Sequence, residues 1–329
     1  MTAPRSAPKA FVTGATGAIG SALTERLARD RWTVNALARR SEGAEHLRGL
    51  PGVTIVTGNL EDTDVLVKAS SGCDAVFHLA ALVHADPSTP AKDFTSVNVK
   101  GTWSVLDAAI RGGAKRFVFF SSIAVYPETD AVMDEDSRPE PQSAYGQSKL
   151  DAEQVVMSRG GEIEVVILRL PVVYGPRDRG NVIRLVRAIR SGRFAIVGDG
   201  SNLKSMVGVG NVVDAALLAA THPRAVGRTY IVCDDRDYTQ AEIAGTIAEL
   251  LGRKRTFSRI PRAPMLFLGR IADLIGAATR VKLPINSDRI RKLSMSTRFR
   301  CDRIRRELGF TPRQTLREGL EEVVASLRD

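Results

Sequence analysis

A tyrosine and a lysine stand four residues apart in Tyr145-Gly146-Gln147-Ser148-Lys149, downstream of the glycine-rich run Thr13-Gly14-Ala15-Thr16-Gly17-Ala18-Ile19-Gly20. A phenol with an ordinary pKa of about 10 is a poor acid at neutral pH. An ammonium one helical turn away and a positive nicotinamide ring both stabilise the phenolate and bring that pKa down. Tyr145 can then give a proton to a carbonyl oxygen or take one from a hydroxyl. Lys149 supplies the ammonium and can also hydrogen-bond a cofactor ribose. A second hydroxyl sharing the substrate oxygen is expected at a strand end, and Phe119-Phe120-Ser121-Ser122 puts Ser122 there. A tyrosine and a lysine at this spacing arise often by chance. The glycine run and the strand-end serine are what turn the pair into a proton-transfer site beside a hydride carrier.

Gly14, Gly17 and Gly20 follow an apolar run and open an amphipathic one, the context that marks a dinucleotide fingerprint. The spacing is G-x-x-G-x-x-G rather than G-x-G-x-x-G. Glycine lets the backbone approach a pyrophosphate and lets the helix N-terminus, with Ala18 and Ile19 in its first turn, face it. The end of the second strand chooses between the two nicotinamide cofactors. An acid there binds a ribose 2′-hydroxyl, whereas arginine accepts a 2′-phosphate. Ala38 occupies the place of the acid and Arg39 and Arg40 follow it, so NADP(H) is expected in preference to NAD(H).

The elements that must position these residues follow from hydropathy. Strands are expected at residues 9–13, 33–38, 53–57, 75–79, 117–121 and 165–170, and helices at 18–29, 62–69, 97–110 and 142–158. Continuous apolar strands alternating with helices predict an α/β class with a Rossmann-type, doubly wound parallel sheet. After Gly175 the alternation loosens, with helices expected at 181–191, 211–220, 240–251, 303–308 and 316–327. We therefore expect a nucleotide-binding domain over 1–172, with return segments near 205–235. A smaller, partly interleaved C-terminal substrate domain would take 173–204 and 236–329.

The bulk composition narrows the partners. The 329 residues suit one large α/β unit or two coupled domains, and aromatics make up only 5%, which argues against base stacking and hence against nucleic acid. Cys73, Cys233 and Cys301 are dispersed, without metal-ligand spacing or a disulfide framework. With no signal-like start and no apolar run long enough to span a bilayer, a cytoplasmic location and no bound metal are expected. The net charge of +10 admits three readings: a solvated basic face, attraction for a polyanionic substrate, or contact with an anionic membrane surface. Phe267, Ile271, Leu274 and Ile275 have the helical spacing for such a membrane-facing stripe, but a helix packed on its own domain is expected in preference.

Further motifs carry a resemblance over nearly the whole chain: GNL at 58–60, HLAA at 78–81, VNVKGT at 97–102, SSIAVY at 121–126, VYGPRD at 173–178, GDG at 198–200 and ELGFTP at 307–312. The chain resembles an extended short-chain dehydrogenase/reductase of the NAD-dependent epimerase/dehydratase group. The resemblance implies that Asn59 and Leu60 flank the adenine, although the family usually has Asp at the first position. It implies that Leu79, Ala80 and Ala81 line the cofactor, that Asn98 supports the same site, and that Pro171 and Val173 continue the wall. His84, Asn181, Lys204 and Arg289 fall on the substrate side, with Lys204 where the family places a cation for a diphosphate. Members of this type are often homodimers that pack through two helices of each nucleotide-binding domain.

The same resemblance narrows the reaction. Sugar 4,6-dehydratases of the family carry an Asp-Glu pair after the strand-end hydroxyl; here Ile123 and Ala124 stand there, and neither moves a proton. Many nucleotide-sugar epimerases have Asn where this chain has Val172. The expected activity is therefore an NADP-linked reductase or dehydrogenase at C4 of a nucleotide diphosphate sugar. The alternatives are a nucleotide-sugar 4-epimerase and a 3β-hydroxysteroid dehydrogenase-like enzyme acting on a hydrophobic alcohol.

Overall fold

The fold comes from a computed structural model that describes residues 7–83, 89–178, 180–265, 267, 270, 291 and 294–327. Seven strands form one parallel sheet: β1 (Lys9–Thr13), β2 (Thr33–Ala38), β3 (Val53–Thr57), β4 (Ala75–His78), β5 (Arg116–Ser122), β6 (Glu164–Leu170) and β7 (Arg228–Ile231). Their order across the sheet is β7-β6-β5-β4-β1-β2-β3. The chain reverses direction across the sheet between β1 and β4, and the crevice beyond their C-terminal ends is where such sheets bind ligands. All four residues of β4 and six of the seven in β5 are buried, which is why these strands read as unbroken apolar runs.

Helices cover both faces. On one lie α1 (Ala18–Arg29) and a later helix, α6 (Val209–Thr221), which bury Leu23, Leu27, Val212 and Ala216 against the sheet. On the other lie α2 (Thr63–Ser70), α3 (Gly101–Arg111) and α4 (Ala144–Ser158), burying Leu66, Val105, Leu106, Ala152 and Val156. A short turn of helix at Ala91–Phe94 and a π-helical stretch at Thr95–Lys100 run into α3, so helix begins well before the expected residue 97.

The lobe expected to take the substrate is a smaller core of α5 (Asn181–Arg190), α7 (Gln240–Leu250) and α9 (Leu316–Ala325). Its apolar stripes are helical in period: Val182, Val186 and Ile189 meet Ile243, Ile247, Leu320 and Val324. A parallel ribbon joins the lobes, pairing Val172–Tyr174 with Met206–Gly208. Asp234 locks it, accepting from the Tyr174 hydroxyl at 2.6 Å, the Gly208 amide at 3.0 Å and the Asn211 side chain at 2.7 Å. The segment 236–329 divides between the two cores. Helix α8 (Asp302–Leu308) returns to the large sheet, and Cys301, Ile304, Leu308 and Phe310 belong to its core, so 236–329 is not wholly substrate lobe. Apolar positions in a seven-residue helix do not reveal which of two cores they enter.

Candidate active site

The glycine turn and the start of α1 fit a dinucleotide. Gly14 has a φ of +68°, and a side chain there would meet the Ala80 amide nitrogen at 2.8 Å. A Cβ on Gly20 would lie 2.1 Å from the Gly14 carbonyl oxygen, so α1 sits on the turn with no room for another residue type. Above this floor opens a cavity of about 1500 Å³. Typical small-molecule pockets hold roughly 300–1,000 Å³, so this one has room for a dinucleotide and a second ligand.

Most of the expected cofactor residues form its wall: Gly14, Gly17, Ala18, Ile19 and Gly20 at the turn, Arg39 after β2, Asn59 and Leu60 after β3, Leu79, Ala80 and Ala81 after β4, and Pro171 and Val173 after β6. Arg40 is exposed and not part of the wall. Asn98 is buried behind it. It accepts from the Leu82 amide at 2.7 Å and donates to the Leu82 carbonyl at 3.1 Å and to Ser148 Oγ at 2.9 Å. Sitting in the π-helical stretch, it clamps the loop after β4 onto α4, and such stretches recur at functional sites.

A fully buried chain of hydroxyls supports the same loop. Thr102 Oγ1 donates to the Asn98 carbonyl at 2.5 Å, so it accepts from His78 Nε2 at 3.0 Å. His78 Nδ1 is then the acceptor for Thr13 Oγ1 at 2.7 Å, and Thr13 in turn accepts from the Ala80 amide at 3.3 Å. Burial, with the charge of Lys149 adding to it, pushes the imidazole down to about 3, so it stays neutral. The ends of β1, β4 and α3 are thereby tied at one point beneath the cofactor loop.

The proton-transfer residues converge on the opposite wall. Ser143 caps α4, its hydroxyl accepting from the Gly146 amide at 3.0 Å. A side chain on Gly146 would lie 2.1 Å from the Ala124 carbonyl oxygen, so glycine lets α4 press against the turn after β5. Tyr145 and Ser122 are brought together by that contact. Ser122 Oγ accepts from the Ala124 amide at 3.1 Å, which fixes its rotamer. Burial raises the Tyr145 phenol, and its hydrogen bond with Ser122 opposes the rise. Lys149 is 3% exposed and donates to the Phe120 carbonyl at 2.6 Å. Burial lowers its ammonium to about 7, against the opposing charge of Glu153 one turn on. Glu153 itself is held by the buried Arg169 at 2.6 Å and by Ser121.

Ile123 and Ala124 both line the cavity, and neither carries a proton. Of the residues expected to meet the substrate, Asn181 is in the wall. Lys204 is not: it stands behind, donating to the Met295 carbonyl at 2.6 Å and to Thr297 Oγ1 at 3.3 Å, and those two residues face the cavity. His84 and Arg289 lie outside the described residues. Several wall residues carried no expectation, Arg177, Arg298 and Phe299 among them. Arg177, in a left-handed conformation with a φ of 60°, reaches Glu25 on α1 at 3.0 Å. Arg298 and Phe299 come from a two-residue strand paired with Val132–Met133. Arg177 lay within the VYGPRD motif; Arg298 and Phe299 had no signal of their own.

The profile of the NAD dependent epimerase/dehydratase family matches residues 10–233. The chain belongs to that family. This family member is 31% identical over 312 residues to an N-acetyl-alpha-D-glucosaminyl-diphospho-ditrans,octacis-undecaprenol 4-epimerase of Escherichia coli O157:H7, covering 94% of this chain and 92% of that one. It is also 31% identical to a 4-hydroxy-2-methyl-3-oxo-4-farnesyl-3,4-dihydroquinoline-1-oxide ketoreductase of Stigmatella aurantiaca, covering 95% of each. Among solved structures, MoeE5 in complex with UDP-glucuronic acid and NAD superposes with a TM-score of 0.77 at 30% identity, covering 97% of this chain and 99% of that one. The chain is thus an NAD(P)-dependent enzyme of the extended short-chain dehydrogenase/reductase type. Among its described residues no helix is long and apolar enough to cross a membrane.

Proposed function

We propose that the enzyme is an NADP(H)-linked reductase, or reversible dehydrogenase, at C4 of a sugar carried on a nucleotide diphosphate. The observation that carries this reading is the meeting of Tyr145, Ser122 and Lys149 on one wall of a cavity whose other wall is the glycine turn. A bound nicotinamide supplies the hydride in one direction and accepts it in the other. Tyr145 gives the proton to the sugar oxygen on reduction and takes it on oxidation. Ser122 holds that oxygen by a second hydrogen bond. Lys149 holds the cofactor ribose and, when protonated, favours the phenolate. Ile123 and Ala124 put no acid or base at the two positions after Ser122, which argues against elimination.

The test is a panel of UDP-, dTDP- and GDP-linked 4-keto hexoses with NADPH, with products assigned by NMR. NADPH should be consumed one for one with reduction at C4. No turnover on any member of the panel would overturn the reading. Interconversion of C4 epimers without added cofactor would establish the second reading, 4-epimerisation, which the relative from Escherichia coli O157:H7 supports.

The cofactor preference rests on Arg39, which lines the cavity after β2 where no acid stands. Arg39→Asp should lower kcat/KM for NADPH by about 10- to 100-fold, the worth of a hydrogen bond between charged groups, and raise it for NADH. Steady-state rates with both cofactors check this, and a wild type that prefers NADH contradicts it. We also infer a homodimer built on the helices around 91–111 and 144–158, where Val97, Trp103 and Met157 are exposed. A solution mass of a single chain would rule it out.

A further inference from the structure

The net positive charge is not spread over the molecule. Residues 181–198 contain four arginines and no acid, and residues 250–270 contain five arginines, one lysine and no acid. These ten cations equal the net excess of +10 carried by the whole chain. The fold brings the two segments together. Strand Ser258–Ile260 pairs in parallel with Ala195–Val197, and the Phe194 and Phe257 rings meet edge to face at 5.4 Å. Ile189, Gly192 and Phe194 share a cleft with Arg253 and Lys254.

Helix α5 turns Val182, Val186 and Ile189 inward, which leaves Arg184, Arg187 and Arg190 exposed on its outer face. Arg193, Arg253, Lys254, Arg255, Arg259 and Arg262 are exposed as well. Among the described residues, Arg255 is the only one of these in an ion pair, with Glu249 at 3.0 Å. Phe267, five positions beyond Arg262, is 66% exposed.

We propose that this face of the substrate lobe docks on an anionic bilayer surface. Clustered arginines without acids match the negative potential of anionic headgroups, and an exposed phenylalanine at the edge inserts at the headgroup boundary. Binding of single-stranded nucleic acid would call for several open aromatic faces set among the cations; here Phe194 and Phe257 are half-buried against each other, and only Phe267 is exposed. The same helix that carries the outer arginines begins at the cavity wall with Asn181. The proposal does not rest on the reading of the reaction at C4, since binding is measured without turnover.

The experiment is co-sedimentation of the full chain with phosphatidylcholine vesicles, with and without about 30% phosphatidylglycerol, at low and high salt. Binding should require the anionic lipid and be lost at about 0.5 M salt. Each cation near the surface is worth about a fivefold change in partitioning, so R187Q/R190Q/R193Q should bind about 100-fold more weakly. A second variant, R253Q/K254Q, should weaken it independently, and NADPH binding by both variants checks the fold. Equal binding to neutral and anionic vesicles, or unchanged binding by both variants, overturns the proposal. Displacement from vesicles by an equal charge concentration of single-stranded RNA assigns the face to nucleic acid instead.

Discussion

Tyr145→Phe should lower kcat by about 10³- to 10⁴-fold while leaving NADPH affinity within about twofold, because the substitution removes only the proton-transfer oxygen. The ring itself stays supported, edge-on to Phe94 at a centroid distance of 6.3 Å. Rapid-mixing turnover and a fluorescence titration with NADPH give the two readouts. The pH profile supplies a third. Burial raises the phenol above its ordinary value, so it stays protonated through the neutral range. Reduction of a ketone should then hold its rate up to alkaline pH and fall only as the phenol ionises. Oxidation should rise over the same interval. A Tyr145→Phe enzyme that turns over like wild type would remove the phenol from the reaction altogether.

Lys149→Met should abolish measurable turnover, by at least about 100-fold, and make the protein more stable. In the unfolded chain this amine keeps its proton to about 10.5, whereas burial in the folded protein lowers it to about 7. Between those values the unfolded chain binds more protons, so stability rises with pH across that window, and the cost of burying the amine is greatest below it. The displacement bounds that cost at about 5 kcal/mol at neutral pH. Methionine would leave the Phe120 carbonyl without its donor, returning about 1–2 kcal/mol. A net gain of about 3 kcal/mol should appear at pH 7 and shrink toward pH 10, where the wild-type amine is neutral in the folded protein and starts to lose its proton in the unfolded one. Urea unfolding of both proteins at the two pH values checks this. A Lys149→Met protein less stable than wild type at pH 7 would mean that the ammonium is structural.

The parts of the fold that were legible in the sequence are those that water dictates. β2 is largely buried and β3, at the sheet edge, is half-buried, and their bounds read from hydropathy match the structure at 33–38 and 53–57. The glycine turn was legible because Gly14 and Gly20 meet constraints no other residue satisfies. Asn98 is different. Its motif was visible, but its aim depends on the π-helical turn, a backbone choice that no side-chain pattern encodes. Lys204 shows the same limit: the resemblance placed a cation for a diphosphate there, and tertiary packing turns it onto the Met295 carbonyl. Arg298 and Phe299 were invisible because a two-residue strand has no period, and its place is set by Val132–Met133, more than 160 positions earlier.

The ribbon between Val172–Tyr174 and Met206–Gly208 has an evolutionary consequence. The chain leaves the large sheet after β6, builds α5, comes back through α6 and β7, departs again for α7, and returns once more with α8. Neither lobe is a contiguous stretch that can be excised, and the Asp234 knot holds strands from both passes. Unfolding should therefore be a single cooperative event. A lobe built from separate passes of the chain cannot be exchanged by recombination at one boundary. New specificities must arise by point changes and loop insertions around a seam that has to stay intact, which is why one scaffold can keep its Tyr–Lys chemistry while its ligands diverge.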